Sequence, residues 1–327
     1  MIPSLSVVIV SFNTKDLLKE CLTTLFKYTK NLTLEVIVID NNSHDGSQEM
    51  VKQDFPEVRL IESSVNLGFA AANDLGFRLS YGRYAVLLNS DAFIHADTMQ
   101  QAFKHMENDP LIGLGGGRLV GRDGAWQPSA RMFPSLFNDF LHMSGLATKY
   151  PKSRLFGRAD ATWASPDVTR ECDWVPGAFA IIRREALEKV NYFDERFFLY
   201  YEEVDLCKRI KQQGYAIWYW PEVVVTHLGG ESSKTIKHLS LANAGKQLSL
   251  WRMRSQLLYY RKHGGFLKAW FSAQMEIGWN RLRAWKNRRN PTPENTIKAE
   301  NAKMAASLME QAWKDTIGGK ISPPTPW

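Results

Sequence analysis

Glu35-Val-Ile-Val-Ile-Asp-Asn-Asn-Ser-His-Asp-Gly-Ser47 decides the fold. Its first half is a β-branched run that suits a strand buried on both faces, and its second half is polar and turn-forming. The same build recurs upstream and downstream. Leu5-Ser-Val-Val-Ile-Val10 runs toward Asn13, a third run at 58–61 leads to Asn66-Leu-Gly68, and a fourth at 84–88 ends on Asn89-Ser-Asp91. Between the runs, Leu17, Leu18, Cys21, Leu22, Leu25 and Phe26 recur at helical spacing, and further helices are expected near 47–53, 69–80 and 97–107. Strand and helix in alternation specify an α/β fold with a mainly parallel sheet, and 111–114 is expected to add another strand.

In an open α/β sheet, ligands bind outside the carboxyl ends of the strands, where loops and helix N-termini converge. Asn13, Asp40 to Ser43, Asp45, Asn66, Gly68 and Asn89 to Asp91 all fall on that edge. One Asp after a strand is often only a helix cap; four such loops in order make a polar rim. Gly113-Leu-Gly-Gly-Gly117 fits no dinucleotide fingerprint and no P-loop, and reads as a strand packed tightly against another group.

From 123 to 173 periodicity is lost and Pro, Trp and Arg accumulate, as in a substrate-facing insertion, with one helix expected near 136–146. Trp174-Val-Pro-Gly-Ala178 then re-enters the core. Phe197-Phe-Leu-Tyr-Tyr-Glu-Glu-Val-Asp-Leu-Cys-Lys-Arg209 sets Glu202, Glu203 and Asp205 directly behind an aromatic run. Such carboxylates either abstract protons or cap the helix expected over 204–213, and the residues alone leave both open. Two strands are expected around Pro221, at 216–220 and 223–226; His227 follows them and by itself reads as structural.

The chain has 327 residues and a net charge of +7. Between Lys246 and Asn290 there are eleven Lys or Arg and one acid, Glu276, so the remainder is slightly acidic. That segment interleaves its cations with Trp251, Tyr259, Tyr260, Phe266, Trp270, Phe271, Trp279 and Trp285, and is expected to be helical with a break at Gly264-Gly265. A third helix is expected over 294–313 and a disordered tail over 323–327. Cys21, Cys172 and Cys207 lack metal-type spacing and read as free thiols. No secretory signal or membrane span is expected. Without a nucleic-acid-binding motif, the basic segment does not suggest nucleic acid as a partner.

Taken together, Ser6-Val-Val-Ile-Val-Ser-Phe-Asn13, Val36-Ile-Val-Ile-Asp-Asn-Asn-Ser-His-Asp-Gly-Ser47, Asn66-Leu-Gly-Phe-Ala-Ala-Ala-Asn73, Leu87-Leu-Asn-Ser-Asp91, Trp174-Val-Pro-Gly-Ala178 and the acidic segment carry a resemblance. Over roughly residues 4–235 the chain resembles the inverting family 2 glycosyltransferases of GT-A fold, especially bacterial rhamnosyltransferase-like members. The resemblance implies a GT-A domain over 1–238; the helical extension that follows it, 239–327, lies outside the resemblance, and its basic, aromatic helix is expected to associate with a membrane. It implies donor binding by Val10, Ser11, Phe12, Asp40, Asn66, Gly68, Asn73, Asn89, Ser90 and Asp91. Asp91 stands as the surviving acid of the family's D-x-D motif, Asn89 replaces the first, and His227 joins Asp91 in holding Mg²⁺ or Mn²⁺ or the diphosphate. Glu203 falls on the general base, where Asp is commoner, with Glu202 second; Trp174, Gly177, Ala178 and Asp205 fall on the acceptor side.

The donor implied is dTDP-β-L-rhamnose, with a UDP-hexose as the rival, and the acceptor a cell-envelope glycan or a polyprenyl-diphosphate-linked one. The free thiols and the basic, aromatic helix lead to the expectation of a cytoplasmic protein peripheral to the inner face of an anionic membrane, with packing in a helical hairpin or a dimer contact as the alternatives for those aromatics. A catalytically silent sugar-nucleotide or glycan-binding module would lack the base or the acid that Glu203 and Asp91 supply. A nucleotidyltransferase would carry a Gly-rich basic loop where this chain has Ser11-Phe-Asn-Thr14.

Overall fold

A computed structural model describes residues 2–229 and 241–323. Gly230, the domain boundary expected at 238/239, and tail residues 324–327 lie outside the described residues. The alternation is realised as β1 (Leu5–Ser11), α1 (Lys15–Tyr28), β2 (Leu34–Asp40), α2 (Ser47–Asp54), β3 (Arg59–Glu62), α3 (Phe69–Arg78), β4 (Tyr84–Asn89), β5 (Ala92–Ile94), α4 (Thr98–Asn108) and β6 (Ile112–Val120). There follow β7 (Trp126–Gln127), α5 (Leu136–Met143), α6 (Leu146–Lys149), β8 (Arg170–Glu171), β9 (Phe179–Arg183), α7 (Arg184–Lys189), α8 (Glu202–Gln212) and β10 (Ala216–His227). Two long helices complete it, α9 (Leu241–Arg289) and α10 (Pro293–Asp315).

The sheet runs β3-β2-β1-β4-β9-β6-β10-β5, with β7 on β6 and β8 on β10. β3, β2, β1 and β4 are parallel, and the register sets Ser11 beside Asp40 and Val10 beside Asn89. The strand near 112 does not extend that parallel block. β9 enters beside the end of β4 and lies antiparallel between β4 and β6, so the sheet is mixed. Leu18, Cys21, Leu22 and Leu25 are the buried stripe of α1, and each such leucine stabilises the fold by roughly 1.5–3 kcal/mol.

The glycine run lies inside β6. A Cβ on Gly115 would strike the Trp220 ring, and one on Gly117 would strike the Val223 carbonyl, so β6 and β10 approach only because these positions are bare. The two strands expected around Pro221 are one, β10, whose pairing with β6 shifts register between Trp220 and Val224. A strand tolerates proline at such an irregularity, where no ladder hydrogen bond is required. The single helix expected near 136–146 is instead two, α5 and α6, separated at Gly145.

The described residues group into two units. A sheet unit holds the chain to Phe133, Pro151–Glu195, and Glu202 onward to 229; a helical unit holds Pro134–Tyr150, Arg196–Tyr201 and α9 with α10. In the helical unit, Leu250, Met253 and Leu257 pack with Ala273, Ile277, Met309 and Ala312. Gly265, at φ 76° and ψ −175°, breaks α9 into two arms. The aromatic run ahead of the acids belongs here: Ser255 donates to the Leu199 carbonyl at 2.9 Å, and Tyr201 packs on Tyr259. No described helix is long and apolar enough to cross a membrane.

Candidate active site

The carboxyl edge of β1, β2 and β4 is built by short polar side chains that tie one loop to the next. Ser11 pairs with Thr14 at 3.0 Å, and Thr14 donates to Ser90 at 3.0 Å, linking the first loop to the fourth. Asn13, at φ 52°, donates its backbone N–H to Ser43 and accepts from the His44 amide through its side chain. Asn41 holds the third loop through Asn66 (2.9 Å) and the Gly68 carbonyl (3.2 Å). The four rim loops are thereby one structure.

Within the rim, several buried oxygens keep no partner. Asp40 accepts from the Ser43 amide and Gln48 through Oδ1, while its Oδ2 is buried and unpaired. Asn73 donates to the Phe69 carbonyl and leaves Oδ1 unpaired, and Asn89 Oδ1 is likewise orphaned. Native interiors rarely leave such atoms unsatisfied, so their collection on one edge marks a place where polar groups of a ligand complete the bonding.

Asp91 is buried, and its Oδ1 lies 3.6 Å from His227 Nε2, because β5 pairs antiparallel with β10 and sets Ala92 beside His227. Gln127 Nε2 donates to the His227 carbonyl at 2.8 Å, which turns Gln127 Oε1 toward His227 Nδ1 at 3.1 Å. Nδ1 is then the protonated nitrogen. Burial lowers the His227 pKa against the opposing pull of Asp91, so a neutral ring directs its Nε2 lone pair at a carboxylate oxygen. Two acceptors facing each other suit a shared cation, and carboxylate with imidazole suits Mg²⁺ or Mn²⁺. Among the described residues no group of three or more His, Cys, Asp or Glu gathers.

On the other side of β4, the Asn89 amide donates to the Ala178 carbonyl at 3.1 Å, which brings the Trp174–Ala178 stretch to the same edge. Gly177 packs on Leu87 and Phe69, where a Cβ would sit 3.3 Å and 3.4 Å from their atoms. Trp174 donates to the Met132 carbonyl and pairs with Arg131, whose guanidinium lies 5.1 Å from the indole ring. Arg131 also acts electrostatically on Glu203.

Glu202 and Glu203 occupy the first turn of α8, after Tyr200 and Tyr201 at φ 69° and 68°, left-handed values that are costly for bulky residues. The two glutamates are hydrogen-bonded to each other, and each keeps a buried Oε2 without a partner. Burial, then the charge of Glu203, drives Glu202 well above the usual carboxylate range. Burial also raises Glu203, while its own and the Val204 amides, Arg131 and the Glu202 bond pull it back. Burial thus raises both carboxyls of the hydrogen-bonded pair. Glu203 accepts from helix-end amides, as a cap does, and retains one oxygen without a partner, as a base requires. Asp205 is fully buried and bound to Arg209 at 2.7 Å, which in turn clamps the Val190 carbonyl.

Sequence reading missed Arg131. It lies in the aperiodic insertion, where no spacing distinguishes one arginine from the next, and only the bridge to Trp174 brings it to the edge.

The family model described as Glycosyl transferase family 2 matches residues 6–190. The chain belongs to that family. This family 2 glycosyltransferase is 28% identical over 234 residues, 68% of the chain and 75% of the relative, to an N-acetylglucosaminyl-diphospho-decaprenol L-rhamnosyltransferase of Mycobacterium tuberculosis. It is 25% identical over 242 residues, 70% of the chain and 85% of the relative, to the rhamnosyltransferase WbbL of Escherichia coli. A mannosyltransferase of Pyrobaculum calidifontis, solved with GDP-mannose and Mn²⁺, shares its fold at a TM-score of 0.50 and 18% identity, over 97% of the chain and 76% of that structure. The glycosyltransferase therefore has the mixed GT-A sheet and uses a nucleotide-sugar donor; its C-terminal helices extend past the matched region.

Proposed function

We propose that this glycosyltransferase moves L-rhamnose from dTDP-β-L-rhamnose to a hydroxyl of a cell-envelope glycan or polyprenyl-diphosphate-linked acceptor, with inversion, using Glu203 as general base. The observation that carries the mechanism is the buried, hydrogen-bonded Glu202–Glu203 pair, in which Glu203 keeps one oxygen without a partner. The names of the two rhamnosyltransferase relatives support rhamnose as the sugar, and that of the Mycobacterium tuberculosis relative supports a lipid-linked acceptor.

Glu203 takes the proton of the acceptor hydroxyl as its oxygen bonds the anomeric carbon. The bond from that carbon to the diphosphate breaks, and its electron pair leaves with the nucleotide. Asp40 and Asn73 offer unpaired oxygens to the nucleoside, with Val10 to Phe12, Asn66 and Gly68 shaping the same pocket. Asp91 and His227 would hold a divalent cation, with Asn89 and Ser90 beside them; Mn²⁺ accompanies the donor in the mannosyltransferase structure. When bound, the cation offsets charge developing on the departing diphosphate. Trp174, Gly177 and Ala178 form the acceptor side with Arg131, while Asp205 braces α8 through Arg209.

The test is transfer to a lipid-linked acceptor from a panel of nucleotide sugars, with product anomericity read by NMR. dTDP-rhamnose is expected to give an α-L-rhamnoside at a kcat/KM at least about tenfold above any UDP-hexose. A UDP-hexose that matches or exceeds it overturns the donor, and a retained anomeric configuration overturns the mechanism.

A further inference from the structure

Of the aromatic residues in the basic segment, Trp251, Tyr259 and Tyr260 are buried, and Trp279 donates to the Met143 carbonyl. The second arm of α9 is different on its outer face. It buries Ala269, Ala273, Ile277 and Ala284, and on the opposite side presents Leu267, Trp270, Phe271, Leu282 and Trp285, each 39–67% exposed. At 1.5 Å per residue this face is about 27 Å long, with Leu267, Trp270 and Phe271 at one end, Leu282 and Trp285 at the other, and exposed Gln274 and Gly278 between them. Large apolar side chains exposed in clusters, as at each end of this face, mark a surface that another apolar phase covers.

The charge around the face has one sign. Arg281, Arg283, Lys286, Arg288 and Arg289 crowd its C-terminal end, and the arm's one acid, Glu276, is buried and paired with Arg252. Arg281 and Arg288 reach Glu310 and Glu300 on α10, whereas Arg283, Lys286 and Arg289 meet no acid among the described residues. The Arg289 guanidinium lies 3.7 Å from the centroid of the Trp285 ring, so a cation and an interfacial aromatic are presented as one unit.

We propose that this face docks in the plane of an anionic lipid bilayer, with Leu267, Trp270, Phe271, Leu282 and Trp285 in the acyl boundary and the C-terminal cations on lipid phosphates. An amphipathic helix with aromatics on one face and unpaired cations beside them has the two attractions that such binding combines. A second copy of this chain fits less well, since pairing the face with itself sets unneutralised cations against cations or against apolar side chains. The proposal rests on α9 alone and stands whether or not Glu203 is the base.

Flotation of the full chain with vesicles tests it, using phosphatidylcholine alone and phosphatidylcholine with phosphatidylglycerol. Binding is expected to the anionic vesicles at low salt, weakening about tenfold or more on neutral vesicles and in high salt. Trp270→Ser with Phe271→Ser, and separately Lys286→Glu with Arg289→Glu, should each lower binding about tenfold while leaving the melting temperature unchanged, because these side chains are exposed. No binding to anionic vesicles at low salt overturns the proposal, as does parental binding by both folded variants. A concentration-dependent dimer lost in the serine variant, with no vesicle binding, assigns the face to a second copy and also overturns it.

Discussion

In the helical unit, several polar groups close on one another, although one buried Arg261 nitrogen keeps no partner. Tyr260 donates to Asp139 at 2.5 Å, Gln256 donates to Ser272 and Glu276, and Arg254 clamps Asp315. At the carboxyl edge of the sheet unit, Asp40, Asn73, Asn89, Glu202 and Glu203 each keep one buried oxygen unpaired. An unpaired buried acceptor costs roughly 1–3 kcal/mol, so the edge is less stable than it could be, and the closed networks elsewhere carry no such penalty. The contrast sets polar groups tied into closed networks against an edge where five unpaired acceptors occur.

Glu203→Gln tests the contrast most severely. Turnover should fall by about 10²–10⁴ while donor affinity, measured by calorimetry, changes little. Unchanged turnover would move the base elsewhere. Asp91→Ala should lower kcat/KM by about 10²–10³ and remove any thermal stabilisation that nucleotide and Mn²⁺ give together. If that stabilisation survives, the Asp91–His227 pair is structural.

A substitution in the closed network should behave oppositely. Burial raises Asp139 from 3.8 to about 6 despite the bond from Tyr260. The folded state therefore holds its proton more tightly than the unfolded chain, and this contribution to stability is lost as pH rises through about 6. Asp139→Asn should then stabilise the protein by on the order of 1–3 kcal/mol at about pH 8, with little gain near pH 4, while transfer activity stays close to the parent's. Chemical denaturation at the two pH values measures it; a stability loss at about pH 8 breaks the comparison.

The smallest effect belongs to Arg131. Its charge opposes the burial that raises Glu203, so Arg131→Met should move the acidic limb of the kcat/KM profile to higher pH and cut activity severalfold near neutrality. An unmoved limb would mean that Arg131 serves only to stack on Trp174.

Much of the sheet was legible because strand and helix periodicities are local, and the polar rim followed because strand ends are known once strands are. Three features were not. The antiparallel entry of β9 depends on pairing between residues about ninety positions apart, Leu88 with Phe179. β10 reads as two strands because Pro221 interrupts the pattern, and only β6 shows that the strand continues. Arg131 has no local signature, since its partner Trp174 is far along the chain.

By itself, the sequence determined the strand–loop repeats, the order of the polar loops and the place of the acidic pair behind an aromatic run, all written in neighbouring residues. Only the tertiary structure decided that Glu202 and Glu203 are buried against each other, which nitrogen of His227 faces Asp91 and which aromatics of α9 are buried. Protonation and exposure follow from burial and from partners distant in the chain, and a linear pattern does not contain either.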